Sequence, residues 1–310
     1  MQYRQLGRHG LRVSALSIGG WITFGGSLGS DETRAVVHES IEQGMNFVDL
    51  ADVYARGNAE LVAGEVLSDY RREDLVISSK VYWPMGTGIN DRGLGRKHIR
   101  ESIDASLQRL GVDYLDIYFC HRFDPETPLE ETVVAMDDLI RAGKILYWGT
   151  SVWEADQLRD AHAIADRRNR TGPAVEQPRY NLLDRHIEAA IQPAALELGM
   201  GLVLWSPLAQ GMLTGKYDDT VPAGSRGATT EWLQETLTDA NRERSRRFTA
   251  LCRELEHAPG AIALAWLLTR DGVSSAITGA TRPEQVRENC AALSIELDAA
   301  TLRRIEACFD

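Results

Sequence analysis

The sequence has a deficit of positive charge, few cysteines and no long hydrophobic run. Its 310 residues include 34 Lys and Arg against 45 Asp and Glu, a net charge of −11. Nucleic-acid-binding proteins usually carry a basic excess, so no nucleic-acid partner is expected. No apolar stretch approaches the ~20 residues of a membrane-spanning helix, and the first residues lack the pattern of a secretory signal. These absences predict a cytoplasmic protein without a membrane partner.

Several common site motifs are also missing. The four cysteines are scattered without a CxxC pair, which predicts reduced thiols. No HExxH motif or Cys/His cluster is present, so no metal is expected. Residues 149–153 lack the second glycine of a GxSxG nucleophile elbow, and residues 211–216 are one residue too short for a P-loop. Metal chemistry, serine hydrolysis and nucleotide hydrolysis are therefore disfavoured.

What is present is an alternation of short apolar runs and amphipathic stretches. The runs predict strands buried on both faces, at residues 16–19, 46–49, 75–80, 114–119, 145–149, 174–177, 201–205 and 275–278. The stretches predict helices at residues 31–43, 59–70, 96–110, 129–141, 154–168, 185–198, 261–269 and 283–293. Eight such units, without a GxGxxG turn after the first strand, favour an α/β fold of the closed (β/α)8 TIM-barrel type over an open sheet.

Two additions to the barrel are predicted, both within a single domain over residues 1–310. Residues 2–13 are typical of an N-terminal β-hairpin that could close the bottom of the barrel. Residues 206–235 have little periodicity and several glycines, and a loop of that length in a compact domain is usually functional or a lid. Long loops on the C-terminal side of the barrel are therefore expected.

Four polar residues fall at or just beyond the ends of three neighbouring strands. Asp49 ends the second strand, Tyr54 follows in its loop, Lys80 ends the third strand and His121 ends the fourth. Taken singly, each has a structural alternative: a helix cap, loop packing, a surface lysine or a hydrogen-bonded histidine. Taken together, at the face of a barrel where catalysis occurs, they predict a catalytic group.

The chemistry that this group supports is proton transfer to a carbonyl oxygen. Tyr54 would be the acid, and the Lys80 ammonium is expected to lower its pKa from about 10. Asp49 would hold Lys80 in place, and His121 would donate a hydrogen bond that orients the carbonyl. Because the set protonates an alkoxide as it forms, the second reagent must be a hydride donor.

In several segments the sequence resembles the aldo-keto reductases, and within them the branch of voltage-gated potassium channel β-subunits and their bacterial relatives. The matching segments follow family order from end to end, at residues 46–54, 76–80, 111–118, 205–211, 213–217 and 279–285. The resemblance implies that Asp49, Tyr54, Lys80 and His121 form a catalytic tetrad. It also implies NADP(H) as the cofactor, bound in an extended pose across the barrel mouth.

The resemblance further assigns cofactor contacts. Ser151 and Gln177 would bind the nicotinamide carboxamide, and Trp205 would stack on its ring. Many family members carry Asn after the serine, whereas this chain has Val152. The full set expected to contact the cofactor is Gly20, Trp21, Ser151, Gln177, Trp205, Ser206, Pro207, Leu208, Gly211, Lys216, Gly279, Thr281, Arg282, Gln285, Glu288 and Asn289.

The predicted activity is NADPH-dependent reduction of an aldehyde or ketone, a small-molecule carbonyl substrate. The substrate pocket is expected to include Trp21, Tyr54, Trp83, His121 and Phe123. One alternative is a redox-sensing regulatory subunit that binds NADPH and acts on a partner protein with little turnover. Another is a barrel hydrolase, which would work without nicotinamide. The resemblance also implies a homotetramer or homo-octamer.

Overall fold

Parallel strands close into a barrel in the computed structural model, which describes residues 1–222, 225, 228 and 236–310. A short antiparallel hairpin, β1 (Tyr3–Gln5) and β2 (Arg12–Ser14), precedes the barrel. The barrel strands are β3 (Leu16–Gly19), β4 (Phe47–Asp49), β5 (Val76–Val81), β6 (Leu115–Cys120), β7 (Ile145–Ser151), β8 (Val175–Gln177), β9 (Gly201–Leu204) and β10 (Val273–Thr278).

The strands pair in chain order, and β10 closes the ring by pairing with β3. Every barrel strand is parallel to its neighbours, so all their carboxyl ends meet at one mouth. The predicted (β/α)8 barrel is therefore confirmed, and each predicted strand overlaps an observed one.

Amphipathic helices surround the barrel and bury their apolar stripes against it. In the fourth helix, for example, Val133, Met136 and Leu139 recur every three residues and are buried. The described helices are α1 (Ser30–Glu42), α2 (Asn58–Leu67), α3 (Arg96–Leu110), α4 (Leu129–Arg141), α5 (Ala155–Arg168), α6 (Ile191–Glu197), α7 (Asp239–Glu254), α8 (Pro259–Leu268), α9 (Pro283–Cys290) and α10 (Ala299–Ala307).

The helices differ from the prediction in three places. The helix expected at residues 185–198 is a 3-10 turn, His186–Ala189, followed by the shorter α6. Pro193 has no N–H to donate, which confines it to the first turn of an α-helix, so α6 begins only two residues before it. Helices α7 and α10 were not predicted from the sequence. In α7 the sequence is dominated by charged residues, and few apolar side chains mark its buried stripe.

The N-terminal hairpin packs against the barrel interior at the amino ends of the strands. Leu6 and Val13 are fully buried in the interior cluster of side chains that includes Phe47 and Ile117. Gly7 has a φ of 57°, and a Cβ there would lie 2.3 Å from the carbonyl oxygen of Gly199. Only glycine permits this close approach. Because Leu6 and Val13 are buried at the amino ends of the strands, the hairpin closes the end of the barrel opposite the mouth.

The long loop after β9 is described only in part. Residues 206–222 include a 3-10 segment, Ala209–Thr214, and the remainder of the predicted lid lies outside the described residues except for 225 and 228. Within the described ranges, no helix is both long enough and apolar enough to cross a membrane.

Candidate active site

A cavity of about 900 Å³ opens at the mouth of the barrel, where the strands end. Asp49, Tyr54 and His121 form part of its wall, and Lys80 lies fully buried against Asp49. Its volume is within the range of small-molecule and cofactor sites. The structure thus brings the four residues of the predicted catalytic group together.

Lys80 and Asp49 form a buried ion pair. Lys80 Nζ donates to Asp49 Oδ2 at 2.7 Å and to the Leu50 carbonyl oxygen at 2.6 Å. The other carboxylate oxygen accepts from Ser78 Oγ at 2.7 Å and from Gln177 Nε2 at 2.9 Å. Burial lowers the pKa of Lys80, and the charge of Asp49 opposes this. Asp49 is therefore the partner of Lys80 and not a helix cap.

Tyr54 begins the tight turn that follows β4. A 3-10 turn spans Tyr54–Gly57, and within it Ala55 and Arg56 have φ values of 46° and 53°, in the left-handed region. The turn places the centroid of the Tyr54 ring 4.9 Å from Lys80 Nζ. Its hydroxyl has no hydrogen-bond partner among the residues that the structure describes. The phenol is therefore free to bond a ligand in the cavity.

The pKa of Tyr54 differs from the expectation. Burial raises the pKa of Tyr54 well above its ordinary value, Asp49 raises it further, and Arg122 lowers it. The predicted net lowering is wrong, because the lost hydration of the phenolate and the charge of Asp49 outweigh the one lowering influence, which is the charge of Arg122. Tyr54 consequently keeps its proton at neutral pH, as a group that protonates a developing alkoxide must.

His121 follows β6 and faces both Tyr54 and the loop after β5. Its ring centroid lies 5.9 Å from that of Tyr54 and 6.3 Å from that of Trp83. Burial lowers the pKa of His121 well below its ordinary value, and the charge of Lys80 lowers it further. His121 Nδ1 is buried without a partner among the described residues. A neutral imidazole carries one N–H, which is available to a carbonyl oxygen.

Most residues predicted to contact the cofactor or the substrate share this cavity. They come from the loops after several different strands. Those in its wall are Trp21, Trp83, Ser151, Gln177, Trp205, Ser206, Pro207, Leu208, Gly211, Lys216, Gly279, Thr281, Arg282, Gln285, Glu288 and Asn289.

Two of the predicted residues lie outside the cavity wall. The N–H of Gly20 donates to the carbonyl oxygen of Asp49 at 3.0 Å, and a Cβ at Gly20 would lie 2.7 Å from the Leu50 side chain. The lack of a side chain at Gly20 therefore allows close packing against Leu50. Phe123 packs edge-on against Trp153, with ring centroids 5.0 Å apart, instead of facing a substrate.

The cavity wall also contains residues that the sequence analysis missed, among them Arg122, Gln210 and Thr214. Arg122 follows His121 directly at the end of β6, and this position was the available signal. Gln210 lies between two predicted cofactor residues in the loop after β9, but a loop whose backbone does not follow a regular period gives no indication of which side chains line a cavity.

Ser151 and Gln177 lie side by side at the ends of β7 and β8. Ser151 Oγ donates to the Gln177 carbonyl oxygen at 3.0 Å, which leaves its lone pairs for a ligand. The next residue, Val152, has a φ of 59°, and its N–H donates to Glu176 Oε1 at 2.7 Å. Asn adopts this left-handed conformation more readily than a β-branched residue, which gives a physical reason for the Asn of many members of the family that the sequence resembles.

Beyond β9, polar side chains and the Lys216 cation line the same cavity. Ser206 Oγ and Gln210 Oε1 are buried without hydrogen-bond partners among the described residues. Gly211 has a φ of 98°, and a Cβ there would lie 2.5 Å from Lys216 Cε, so glycine makes room for the lysine. Within the described ranges, no carboxylate forms an ion pair with Lys216, and its Nζ lies 4.8 Å from the Tyr217 ring centroid. This arrangement suits an anionic ligand.

The loop after β10 offers a second set of polar groups. Gln285 Oε1 accepts from the backbone N–H of Thr281 at 2.8 Å and from its hydroxyl at 3.2 Å. Arg282 is exposed, and its Nε lies 3.8 Å from Glu284 Oε2, which gives a weak ion pair at the surface.

A carboxyl group is buried directly behind the ion pair. Asp52 is fully buried, and neither of its carboxyl oxygens meets a hydrogen-bond partner in good geometry among the described residues. Burial, and then the charge of Glu60, raise the pKa of Asp52 from 3.8 to about 8. Between pH 3.8 and about pH 8, Asp52 therefore keeps its proton in the folded chain but has released it in the unfolded chain. The resulting stabilisation is complete below about pH 4 and is lost as the pH rises through about 8.

The variant Asp52→Asn cannot ionise, so it is expected to flatten this pH dependence. Its free energy of unfolding should exceed that of the wild type by at least about 1 kcal/mol at pH 8, with a smaller advantage at pH 5. Urea titrations of both proteins at the two pH values measure the difference. Equal pH dependence of the two proteins would show that Asp52 ionises freely in the fold.

Comparison with known proteins places this site in a family. The model of the aldo/keto reductase family matches residues 15–310. A protein named probable voltage-gated potassium channel subunit beta, from Oryza sativa subsp. japonica, is 45% identical over 302 residues, which cover 95% of this chain and 92% of that protein. Its namesake from Arabidopsis thaliana is 44% identical, with the same coverage.

A third relative is a putative voltage-gated potassium channel subunit beta of Schizosaccharomyces pombe. It is 40% identical over 316 residues, which cover 98% of this chain and 92% of that protein. The family match spans the barrel and the residues of the cavity, and the identity extends over almost the whole length. The chain belongs to the aldo/keto reductase family.

Proposed function

We propose that this chain reduces aldehydes or ketones to alcohols with NADP(H), and that Tyr54 donates the proton. Membership of the family supports oxidoreductase activity in general. The observation that carries the finer proposal is the Tyr54 hydroxyl in the cavity wall, which lies beside the Lys80 ammonium and the His121 ring and has no hydrogen-bond partner among the described residues.

The residues of the cavity fit a phosphorylated nicotinamide cofactor. Ser151 and Gln177 would hold the carboxamide, Trp205 would lie against the ring, and Ser206 and Lys216 would hold the pyrophosphate. Within the described part of the chain, the Ser206 hydroxyl has no hydrogen-bond partner and the Lys216 ammonium has no carboxylate partner. They can therefore supply the hydrogen-bond donor and the positive charge that a pyrophosphate requires. When bound, the nicotinamide supplies a hydride to the carbonyl carbon.

Within this site each member of the tetrad has a distinct task. Tyr54 donates its proton to the carbonyl oxygen as negative charge develops there. His121 orients that oxygen by donating an N–H. Lys80 stabilises the phenolate that Tyr54 becomes, and Asp49 keeps Lys80 charged and in place. Trp21 and Trp83 border the cavity and supply apolar surface for the substrate.

Two cations at the cofactor end are expected to have separable effects. Lys216 is assigned to the pyrophosphate, which NADPH and NADH share, so Lys216→Met should weaken both by about tenfold. Arg282 is assigned to the 2′-phosphate, which only NADPH carries. Arg282→Met should weaken NADPH several-fold and leave NADH unchanged. Fluorescence titration of both cofactors tests this, and equal losses for both cofactors in Arg282→Met would refute its assignment.

Initial-rate assays test the proposed activity itself. The purified chain, saturated with NADPH, should oxidise it in the presence of aldehydes from a panel and release the matching alcohols. Absence of turnover with every aldehyde and ketone offered would contradict the proposal.

The names of the relatives favour a second candidate, a regulatory subunit that binds NADPH and signals its redox state to a partner protein. This candidate predicts release of cofactor and turnover that are both far slower than those of an enzyme. Measuring the cofactor dissociation rate beside kcat decides between the two. We further propose that the chain forms a cytoplasmic homo-oligomer. Analytical ultracentrifugation would measure its mass.

A further inference from the structure

Arg122 lies in the cavity wall beside the reacting groups, yet no task in the proposed mechanism uses it. It follows His121 at the end of β6, and its guanidinium carbon lies 5.7 Å from the Trp83 ring centroid. One N–H bonds the backbone oxygen of His121. The side chain thus lies where a substrate would meet His121 and Trp83.

The Arg122 guanidinium has no carboxylate partner among the residues that the structure describes. Two other half-buried arginines do have one, whereas Arg4 donates to the backbone oxygens of Val273 and Leu268 instead. Arg72 contacts Asp116 at 2.6 Å, and Arg109 contacts Glu60 at 2.6 Å. A guanidinium has five N–H donors, and only one of those of Arg122 is used within the described ranges.

An unpaired cation in this position is costly. Burial lowers the pKa of Arg122, which means that the surrounding protein removes part of the hydration of its charge. The charge of Glu176 opposes this loss only in part, because its carboxylate oxygens accept from Thr150, Val152 and Trp153. None of the described carboxylates forms an ion pair with Arg122, although the chain has a net charge of −11. The missing partner is therefore expected to be a ligand anion.

That anion is not a phosphate of the cofactor. In the ring of strands, β6 lies four positions from β10 and three from β9, on the far side of the barrel mouth. The cations assigned to the phosphates, Lys216 and Arg282, follow β9 and β10. Arg122 instead adjoins the proton donor, since its charge lowers the pKa of Tyr54. An anion held by Arg122 belongs to the molecule being reduced.

We propose that Arg122 binds a carboxylate of the substrate, so that the preferred substrates are aldehydes or ketones that also carry a carboxylate. This role of Arg122 rests on the carbonyl reduction proposed above. The planar guanidinium presents parallel N–H donors that match the two oxygens of a carboxylate. The single charge of Arg122 balances one carboxylate.

The test compares charged substrates with neutral ones of the same shape. The probes are 3- and 4-formylbenzoate against 3- and 4-formylbenzamide, with NADPH saturating. For at least one isomer, kcat/KM should be about 10–100-fold higher for the carboxylate, mainly through KM. Arg122→Met should bring this ratio close to one. Arg92→Met removes an exposed arginine outside the cavity wall and should leave the ratio unchanged.

A second measurement needs no variant. Benzoate should inhibit reduction of a neutral aldehyde by the wild-type protein competitively with the aldehyde, at least about tenfold more strongly than benzamide. Equal kcat/KM for carboxylates and amides, or equal inhibition by benzoate and benzamide, would overturn the role of Arg122 while leaving carbonyl reduction intact. Failure to reduce any aldehyde, neutral or charged, would instead refute the proposed function.

Discussion

Replacing Tyr54 by phenylalanine is expected to lower kcat for carbonyl reduction by about 10²–10⁴-fold, the contribution of a positioned proton donor. The change removes one oxygen that has no hydrogen-bond partner among the described residues, so it leaves no buried group unsatisfied. The Kd of NADPH should stay within about threefold of the wild-type value. Steady-state assays and fluorescence titration measure the two quantities.

Tyr114→Phe is the matched control, because Tyr114 lies outside the cavity wall, next to Arg72. It removes the same oxygen from a different tyrosine and should retain wild-type activity. If Tyr54→Phe kept more than about a tenth of the wild-type kcat, another group would be the proton donor and Tyr54 would merely shape the cavity.

Replacing Lys80 by methionine is expected to lower the free energy of unfolding by about 3–5 kcal/mol. The loss follows because Asp49 would remain buried without its cation, held only by the donors of Ser78 and Gln177. The double variant Lys80→Met/Asp49→Leu removes both charges and should recover much of that loss. Urea unfolding of the three proteins measures these differences.

Lys97→Met provides the comparison for the buried lysine. Lys97 pairs with Glu101 on the surface of α3, where solvent screens the charges, so its loss should change the free energy of unfolding by less than about 1 kcal/mol. A similarly small loss for Lys80→Met would mean that the Asp49–Lys80 pair is not a coupled buried unit.

Periodicity was sufficient to predict the barrel because its strands are short, apolar and regularly separated. Helix α7 was not predicted because its buried stripe of Phe248, Leu251 and Cys252 lies among charged residues. Helix α6 is shorter than predicted because Pro193 is tolerated only in the first turn of a helix. An apolar pattern alone does not show this limit.

The clustering of Asp49, Tyr54, Lys80 and His121 was predictable because parallel strands bring their carboxyl ends to one face of the barrel. The pKa of Tyr54 was not, since burial depends on how completely the loops cover the ring. The sequence did not single out Arg122 for a related reason. Its proposed role follows from the lack of an ion-pair partner among the described residues, and sequence alone does not show which carboxylates lie near a given guanidinium. Phe123 likewise comes shortly after β6, at the mouth of the barrel, but its ring packs against Trp153.

The most direct test of the account is to follow the hydrogen that reaches the carbonyl carbon. Wild-type protein would be given NADPH carrying deuterium at both C4 positions, with an aldehyde in ordinary water, and the alcohol would be analysed by mass spectrometry and NMR. The account predicts one deuterium at the carbinol carbon in every molecule of alcohol. An alcohol without deuterium at that carbon, or no alcohol at all with any substrate, would contradict it.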